Sequence, residues 1–373
     1  MRLNSRPHLP TGDQPLVIDG RMLFSSGIGR YLREILLRHP TPTASFDIFC
    51  HPGAQEDWLR AHIPAARCRL TTAPLYSSHE QLLAWRLPRD VTYWVPHYNV
   101  PLLVRCRLIA TVHDLAPLAL PRLFDGGLRQ WAARFYFRAL RQRTQRILTV
   151  SQFSRTEMHA LGLNSSHPVS VVPNGVGAFW SGGTPAAVPG NRVLYVGNLK
   201  PHKNLERLIA AMEIVRKTHP LELDIAGRIE GFRTGLSRTF IDKLRTAPWI
   251  RLLGEVSDHE LRRHYHEASA LVFPSLYEGF GLPLLEAMAA GCPVLSSRAG
   301  ALVEVAGRAR ELGGVVEYFD PRDPQDIAAA LLRHTRLSAP ERIRIQHDGR
   351  QIAAAYSWDK TAAATWALLT ERT

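Results

Sequence analysis

Short apolar, β-branched runs alternate with amphipathic helical stretches along most of the chain, and this alternation limits the folds open to it. Strands separated by helices do not pair as tight hairpins, so the pattern predicts parallel sheets built from βαβ units. A segment rich in Gly, Pro and Ala at residues 181–190 interrupts the alternation once. Because such a composition is typical of linkers, we predict two doubly wound α/β domains joined there.

The predicted boundaries follow from this pattern. We expect a first domain at residues 1–180, a linker at 181–190, a second domain at 191–350 and a final helix at 351–373 that packs across both domains. Open α/β sheets bind ligands at the carboxyl ends of their strands, so we expect the site in a cleft between the domains. The predicted strands are Leu16–Asp19, Phe46–Cys50, Thr92–Val95, Leu108–His113, Arg146–Val150 and Val169–Val172, then Arg192–Val196, Glu222–Ala226, Ile250–Leu253, Ala270–Pro274 and Pro293–Ser296.

Composition excludes several classes of protein. With 45% hydrophobic and 21% charged residues, the 373-residue chain is neither disordered nor fibrous. Its four Cys are scattered, which fits neither a disulfide framework nor a zinc site. The first residues lack the apolar core of a secretory signal, and no stretch approaches the roughly 20 apolar residues of a membrane span. We therefore expect a cytoplasmic protein.

Positive charge is concentrated in the first half. Residues 1–180 hold 21 Arg, no Lys and 11 acidic residues, out of a net charge of +13 for the chain. Residues 122–146 carry seven Arg and one acid, interleaved with aromatic residues such as Trp131 and Phe135. Three interpretations stay open: a solvated helix face, a surface for an anionic membrane, and a nucleic-acid patch. No nucleic-acid-binding motif accompanies the run, so we place nucleic acid last.

The most informative segment is residues 271–291, in which a buried strand is followed by a glycine-containing loop and a helix. Pro283 suits the first turn of that helix. The amides of Phe280, Gly281 and Leu282 are then free at a helix N-terminus, which favours a phosphate. Carboxylates here would repel a phosphate, so Glu278 and Glu286 are better explained as acceptors for sugar and ribose hydroxyls.

The spacing Glu278-x7-Glu286 closely resembles the hallmark of the retaining glycosyltransferases of family 4, which have the GT-B fold. The resemblance implies that Glu278 contacts the donor sugar, Glu286 the ribose, and the amides of Phe280, Gly281 and Leu282 the diphosphate. An alternative is that Glu286 only complements the helix dipole and that Glu278 is a solvated loop residue.

A second segment, residues 196–204, resembles the family motif G-x-L-x-x-x-K-N. By this resemblance, Lys203 neutralises the donor diphosphate. Many members have an Arg where this chain has Asn198 at the donor site, so one of the two usual cations is either missing here or supplied by Lys200 or Arg228. The segment 253–258 resembles the loop that holds the nucleotide base, which points to Gly254 and Val256. An ordinary turn with Ser257 or Asp258 as helix N-cap explains that segment equally well.

In the first half, residues 17–31 form a strand, a loop and a glycine-opened helix. Gly27 and Gly29 would let the backbone approach the diphosphate. The segment GIGRY at residues 27–31 resembles the corresponding segment of bacterial mannosyltransferases of O-antigen and exopolysaccharide assembly. By resemblance, His113 at the end of a buried strand reaches the transferred sugar. Asp114 then orients His113 or caps the following turn.

These features imply a hexosyltransferase whose helix-end amides and Lys203 stabilise the leaving nucleoside diphosphate without a metal or other cofactor. No Asp-x-Asp triplet stands at a strand end. GDP-mannose is the first candidate donor, with UDP- and dTDP-sugars behind it, and the acceptor is a glycan or a polyprenyl-diphosphate-linked saccharide. We expect attack on the same face of the sugar that the diphosphate leaves. The alternatives are a nucleotide-sugar epimerase or hydrolase, a phosphorylase, and a binding protein without catalysis.

Overall fold

The computed structural model describes residues 15–40, 45–123, 127–163, 168–183, 190–228, 236–307 and 314–371. They divide into two compact units. The first takes its described residues from Met1–Leu118, Asp125–Gly175 and Trp358–Thr373, and the second from Ala119–Phe124 and Val176–Ser357. Most of the predicted linker, residues 184–189, lies outside the described part of the chain.

The first unit contains a seven-stranded sheet with the order β3-β2-β1-β4-β5-β6-β7, in which every neighbouring pair is parallel. Its central strands are buried because helices cover such sheets on both faces. The strands are β1 (Leu16–Asp19), β2 (Phe46–Cys50), β3 (Ala66–Leu70), β4 (Thr92–Val95), β5 (Arg107–Val112), β6 (Arg146–Thr149) and β7 (Val169–Val171). The helices of this part of the chain are α1 (Ser26–Leu36), α2 (Ala54–His62), α3 (Ser78–Trp85), α4 (Ala116–Ala119), α5 (Leu128–Arg143) and α6 (Gln152–Ala160).

The second unit contains a six-stranded parallel sheet with the order β10-β9-β8-β11-β12-β13. Its strands are β8 (Arg192–Val196), β9 (Glu222–Ala226), β10 (Ile250–Gly254), β11 (Ala270–Phe273), β12 (Val294–Ser297) and β13 (Val316–Phe319). Its helices are α7 (Ala178–Ser181), α8 (Leu205–Val215), α9 (Arg238–Thr246), α10 (Asp258–Glu267), α11 (Leu282–Ala290), α12 (Leu302–Val305), α13 (Pro324–Thr335) and α14 (Ala339–Ala354). The prediction of two doubly wound sheets is confirmed.

Strand β3 was not predicted, because its sequence alternates arginines with small residues. Arg67 and Arg69 both form ion pairs with Asp47 on the neighbouring strand β2. Strand β3 is the edge of the sheet, and charged side chains are a common way to protect an edge. The charge pattern that hid the strand therefore matches its position.

The last helix, α15 (Trp358–Thr370), belongs to the first unit. Trp366 is 2% exposed, and its indole N–H donates to the Ile35 carbonyl at 3.0 Å. Its ring lies 5.6 Å from that of Phe46. The tryptophan thereby holds the end of the chain against α1 and β2.

Each sheet has a point where the chain order reverses. In the first unit it lies between β1 and β4, and in the second between β8 and β11. Loops after the two central strands run to opposite sides there and leave a crevice at the carboxyl edge, where open α/β sheets bind their ligands. These two switch points decide which residues are candidates for function.

Candidate functional site

On the β8 side of the second unit's switch point, the loops after β8, β9 and β10 are packed backbone to backbone. The Gly197 amide donates to the Ala226 carbonyl at 2.9 Å, and the Gly227 amide to the Gly254 carbonyl at 2.8 Å. A Cβ on Gly227 would lie only 2.0 Å from the Gly197 carbonyl oxygen. Glycine at position 227 is therefore required by this close contact.

Lys203 and Glu278 meet on the two sides of this switch point. Lys203 Nζ lies 2.6 Å from Glu278 Oε1, and the side chains are 20% and 12% exposed. The Ser275 hydroxyl donates to the same carboxylate oxygen at 2.6 Å. The Lys203 ammonium also lies 5.7 Å from the centre of the Phe273 ring. The structure thus brings together the predicted diphosphate-binding cation and the predicted sugar-binding carboxylate.

Asn204 holds the Lys203 loop in place. It has a left-handed backbone, with φ of 60°, and it is 4% exposed. Its side-chain amide donates to the Pro274 carbonyl at 2.9 Å and to the Pro321 carbonyl at 2.7 Å. These bonds tie the loop after β8 to the end of β11, so the ammonium and the carboxylate share one rigid support.

The backbone of Glu278 is fixed from a second direction. Its carbonyl accepts a hydrogen bond from the Ala301 amide at 2.9 Å. Gly300 packs so closely that a Cβ there would lie 2.3 Å from the Glu278 carbonyl oxygen. Gly300 also has a left-handed φ of 62°, so a larger residue would both strain and displace the Glu278 loop.

Helix α11 begins beside this pair. Gly281 has φ of 102° and is the N-cap, and its carbonyl accepts from the Leu284 and Leu285 amides. Within the described residues, the amides of Phe280, Gly281 and Leu282 donate no backbone hydrogen bond. They remain available to an anion at a helix N-terminus. Glu286, one turn further, is 3% exposed and accepts a 3.4 Å hydrogen bond from the Tyr265 hydroxyl.

The other predicted residues of the second unit lie at the carboxyl ends of β8, β9 and β10 or in the loops that follow these strands. Asn198 is half-buried, and its carbonyl accepts from the Lys200 amide at 2.8 Å. Arg228 forms an exposed 2.7 Å ion pair with Glu255, so its charge already has a partner. Gly254 ends β10 with φ of 69°, and Val256 is half-buried beyond it. Helix α10 starts with a capping box between Ser257 and Glu260, so Ser257, not Asp258, is its N-cap.

The two predicted glycines of the first unit differ in their surroundings. Gly27 is exposed, and a Cβ there would meet nothing within 4 Å. Gly29 is buried, and a Cβ would lie 2.6 Å from the Leu23 carbonyl oxygen. Packing of the loop onto α1 therefore explains Gly29, whereas Gly27 leaves room for a ligand to approach.

His113 follows β5 and carries a neutral imidazole at pH 7. Burial lowers its pKa to about 4, against a hydrogen bond to Pro96 that raises it, and the charge of His97 lowers it further. Its Nε2 lies 3.0 Å from the Pro96 carbonyl, so Nε2 carries the proton and Nδ1 offers a lone pair. The ring packs edge-on against Tyr31 at 4.8 Å. The Asp114 carboxylate accepts from the Ala116 amide at 3.1 Å and so caps the following turn.

A buried ionic cluster at the first unit's switch point was missed by sequence reasoning. Arg21 Nη2 lies 2.5 Å from Asp19 Oδ2 and 2.6 Å from Glu80 Oε1, and these side chains are at most 1% exposed. The Tyr93 hydroxyl donates to Asp19 at 3.1 Å. Burial alone would raise the pKa of Asp19, but Arg21 and His97 together lower it below its usual range. Polar residues placed directly after an apolar strand are the signal that could have identified Asp19 and Arg21.

Residues 128–143 of the basic region form helix α5, and Arg146 lies on strand β6, so the seven arginines do not share one element. Arg146, at the start of β6, is 9% exposed and forms a 2.7 Å ion pair with Glu371. On α5, Trp131 and Phe135 are 65% and 41% exposed, and their rings stack at 5.6 Å. The exposed arginines beside them are Arg134, Arg138, Arg141 and Arg143. The side chains of residues 122 and 128–130 lie outside the described part.

Within the parts of the chain that the structure describes, no group of three or more His, Cys, Asp or Glu side chains is placed to hold a metal ion. Among the same residues, no helix is both long enough and apolar enough to cross a membrane.

Two family models match the sequence. The model described as "Glycosyltransferase Family 4" matches residues 25–178, and that described as "Glycosyl transferases group 1" matches residues 181–351. The first match includes strands β2 to β7 of the first sheet, and the second includes all six strands of the second sheet.

Among curated proteins, the chain is 29% identical to O-antigen chain mannosyltransferase B of Escherichia coli, over 77% of this chain and 76% of that protein. It is 31% identical to MMP alpha-(1->4)-mannosyltransferase of Mycolicibacterium hassiacum, over 70% and 64%. It is 33% identical to glycogen synthase of Mycobacterium tuberculosis, over 56% and 49%. The chain therefore spans less than two thirds of the second and third of these relatives.

Solved structures share the fold at low sequence identity. Sucrose-phosphate synthase from Thermosynechococcus elongatus superposes with a TM-score of 0.75 at 18% identity, over 95% of this chain and 98% of that one. Anabaena Alr3699/HepE, solved in complex with UDP and glucose, superposes with a TM-score of 0.74 at 16% identity, over 97% and 100%.

Proposed function

Because this chain belongs to the glycosyltransferases, with a family 4 domain followed by a group 1 domain in a GT-B fold, we propose that it transfers a hexose from a nucleoside diphosphate donor. The observation that carries this proposal is the Lys203–Glu278 pair beside the free amides that begin α11. A cation, a helix N-terminus that can bind an anion and a carboxylate that can accept bonds from hydroxyls lie together at one switch point, which supports the proposal.

In the proposed reaction, bond cleavage leaves negative charge on the diphosphate. The Lys203 ammonium and the amides of Phe280, Gly281 and Leu282 stabilise that charge as it develops, and they need no metal ion to do so. Glu278 accepts hydrogen bonds from hydroxyls of the transferred hexose, and Glu286 from those of the ribose. The neutral His113 offers Nδ1 as an acceptor for a sugar hydroxyl.

We propose that the anomeric configuration is retained by attack on the face that the diphosphate leaves, with the leaving phosphate accepting the proton of the acceptor hydroxyl. The hydrogen bonds at Glu278 support this choice over a covalent intermediate. One of its oxygens already receives bonds from Lys203 and Ser275, which makes the carboxylate a weak nucleophile. The one-bond C–H coupling of the product's anomeric carbon distinguishes retention from inversion.

Mannose from GDP-mannose is the first candidate donor. The names of two relatives, an O-antigen chain mannosyltransferase and an MMP mannosyltransferase, support it. A UDP-hexose is the second candidate, because a fold neighbour was solved with UDP and glucose and another relative is a glycogen synthase. A dTDP-sugar ranks behind both. We place the acceptor among cell-surface glycans, free or linked to a polyprenyl diphosphate.

Helix α5 supports a location on the inner face of the cytoplasmic membrane. Its exposed stripe alternates Trp131 and Phe135 with Arg134 and Arg138, and no acidic residue occurs in α5. Aromatic side chains suit the interface, and arginines suit anionic head groups. A peripheral position of this kind would bring the enzyme to a lipid-linked acceptor.

Release of nucleoside diphosphate tests the proposal. Purified protein is incubated with GDP-mannose, UDP-glucose or dTDP-rhamnose, with and without p-nitrophenyl α-mannopyranoside as a soluble acceptor and with EDTA throughout. We expect acceptor-dependent release of GDP from GDP-mannose. Turnover of UDP-glucose alone would reassign the donor, and no release from any donor would reject a transferase. Inversion of one stereocentre of the donor sugar, without release of nucleoside diphosphate, would point to an epimerase instead.

A further inference from the structure

The switch point of the first unit carries two buried polar side chains, His97 and Asn99, that the donor chemistry does not use. His97 follows β4, and Asp19 ends β1, so the two flank the reversal in strand order. Resting on the proposed function, we propose that His97 and Asn99 form a subsite for a hydroxyl-bearing sugar ring of the acceptor. The site would be built at the same topological position in the first sheet as the donor site in the second.

The ionic part of the cluster is internally satisfied. Arg21 donates to both Asp19 oxygens, at 2.8 and 2.5 Å, to Glu80 at 2.6 Å and to the Ala73 carbonyl at 3.2 Å. Glu80 also accepts from the Tyr76 amide at 2.9 Å. These groups form a fixed floor, and the guanidinium is fully engaged within it.

His97 and Asn99 stand out against that floor. They are 3% and 2% exposed, yet both ring nitrogens of His97 and the Oδ1 atom of Asn99 have no hydrogen-bond partner in the described chain. The nearest charged atom to His97 Nε2 is Asp19 Oδ2, at 3.7 Å, beyond hydrogen-bond length. Burying a polar group without a hydrogen-bond partner is unfavourable, so three such atoms together indicate a role beyond packing.

The charge of the cluster selects the class of ligand. Asp19 Oδ2 lies 3.7 Å from His97 Nε2, and both Glu80 carboxylate oxygens lie 3.4 Å from the Asn99 amide nitrogen. The Arg21 guanidinium is engaged with the same two carboxylates, so a phosphate or carboxylate ligand would meet like charge beside it. A hydroxyl both donates and accepts, so it can satisfy Asn99 Oδ1 and either tautomer of His97.

Two aromatic pairs are attached to the cluster, one through Tyr98 and one through Tyr76, whose amide donates to Glu80. Tyr98, between His97 and Asn99 in the chain, stacks on Phe137 at 4.8 Å. Tyr76 lies edge-on to Tyr136 at 5.0 Å and is 52% exposed. Tyr76 also has a left-handed φ of 64°, a strained conformation for a tyrosine, and such strain concentrates at ligand sites. It marks the solvent side of the cluster.

The test compares acceptor and donor kinetics in His97→Phe, which removes both nitrogens at similar size, and in His97→Gln, which keeps a donor and an acceptor. Asn99→Ser is the smaller second variant, which decides the question if His97→Phe does not fold. The matched control is His62→Gln, an exposed histidine of α2 in the same unit. The KM for p-nitrophenyl α-mannopyranoside is measured at saturating GDP-mannose, and the Kd for GDP by calorimetry.

We expect the acceptor KM to rise about tenfold or more in His97→Phe and in Asn99→Ser, less in His97→Gln and not in the control. The Kd for GDP should stay within twofold of the wild type. An acceptor KM unchanged in a folded variant would overturn the subsite while leaving the transferase intact. A wild type that releases no nucleotide from any donor would instead reject the function on which the subsite rests. A rise in KM for donor and acceptor alike would indicate a structural role and count against the subsite.

Discussion

Glu278→Gln should separate nucleotide binding from turnover. The substitution keeps the shape of the side chain but removes the charge that pairs with Lys203 at 2.6 Å. In the wild type, a diphosphate that binds Lys203 must also approach this carboxylate. Two like charges about 5 Å apart at a partly exposed site repel by about 1–2 kcal/mol. Removing one of them should therefore tighten the binding of free GDP by roughly tenfold.

Turnover of the same variant should fall by about a hundredfold or more, because the amide cannot accept sugar hydroxyl bonds as the carboxylate does. Calorimetry with GDP at low and high salt measures the binding, and the gain should shrink at 1 M NaCl, where charges are screened within about 3 Å. Glu317→Gln, which removes an exposed carboxylate paired with Arg333 in the same unit, is the control and should change neither quantity. Weaker or unchanged GDP binding by Glu278→Gln, or turnover equal to the wild type, would refute the reasoning.

Three further predictions concern packing, pH and the surface. Gly227→Ala places a Cβ 2.0 Å from a backbone carbonyl and should destabilise the protein by about 2–3 kcal/mol or more in urea, whereas Gly177→Ala, with nothing within 4 Å, should change stability by less than about 1 kcal/mol. Burial and the charge of a neighbouring arginine lower the pKa of His334 to about 4, so on acidification the unfolded chain protonates this imidazole before the folded chain does. The free energy of unfolding should therefore fall by about 3 kcal/mol as the pH drops from 6.5 to 4, and His334→Gln should lose correspondingly less. Vesicles with anionic lipid should carry the wild type in flotation more than neutral vesicles do, and an Arg134→Glu, Arg138→Glu double variant should lose that preference; equal flotation of both proteins would reject the membrane surface.

The sequence predicted the parts of the fold that depend on local pattern. Strands such as Ala270–Phe273 are buried along their whole length and therefore read as continuous apolar runs. The edge strand Ala66–Leu70 was missed because its arginines hide the pattern, and their partner Asp47 is known only once the strands pair. Lys203 and Glu278 were assigned to one site through the family motifs that they match, and their positions after β8 and β11, the two strands at the reversal of order, agree with that assignment.

The buried cluster of the first unit shows what sequence reasoning does not reach. Asp19 and Arg21 are adjacent to a predicted strand, but Glu80 comes from α3, far along the chain. Only the fold brings the second carboxylate to the guanidinium. The burial of His97 likewise depends on the loops that pack around it, so its unpartnered nitrogens have no counterpart in sequence pattern.

The most direct test of the central claim is acceptor-dependent release of GDP from GDP-mannose by the wild type, Lys203→Met and Glu278→Gln under identical conditions. We predict release by the wild type in the presence of EDTA and p-nitrophenyl α-mannopyranoside, and a loss of about a hundredfold or more in both variants. Release at wild-type rates by either folded variant would contradict the claim that the switch point between β8 and β11 is the site of glycosyl transfer.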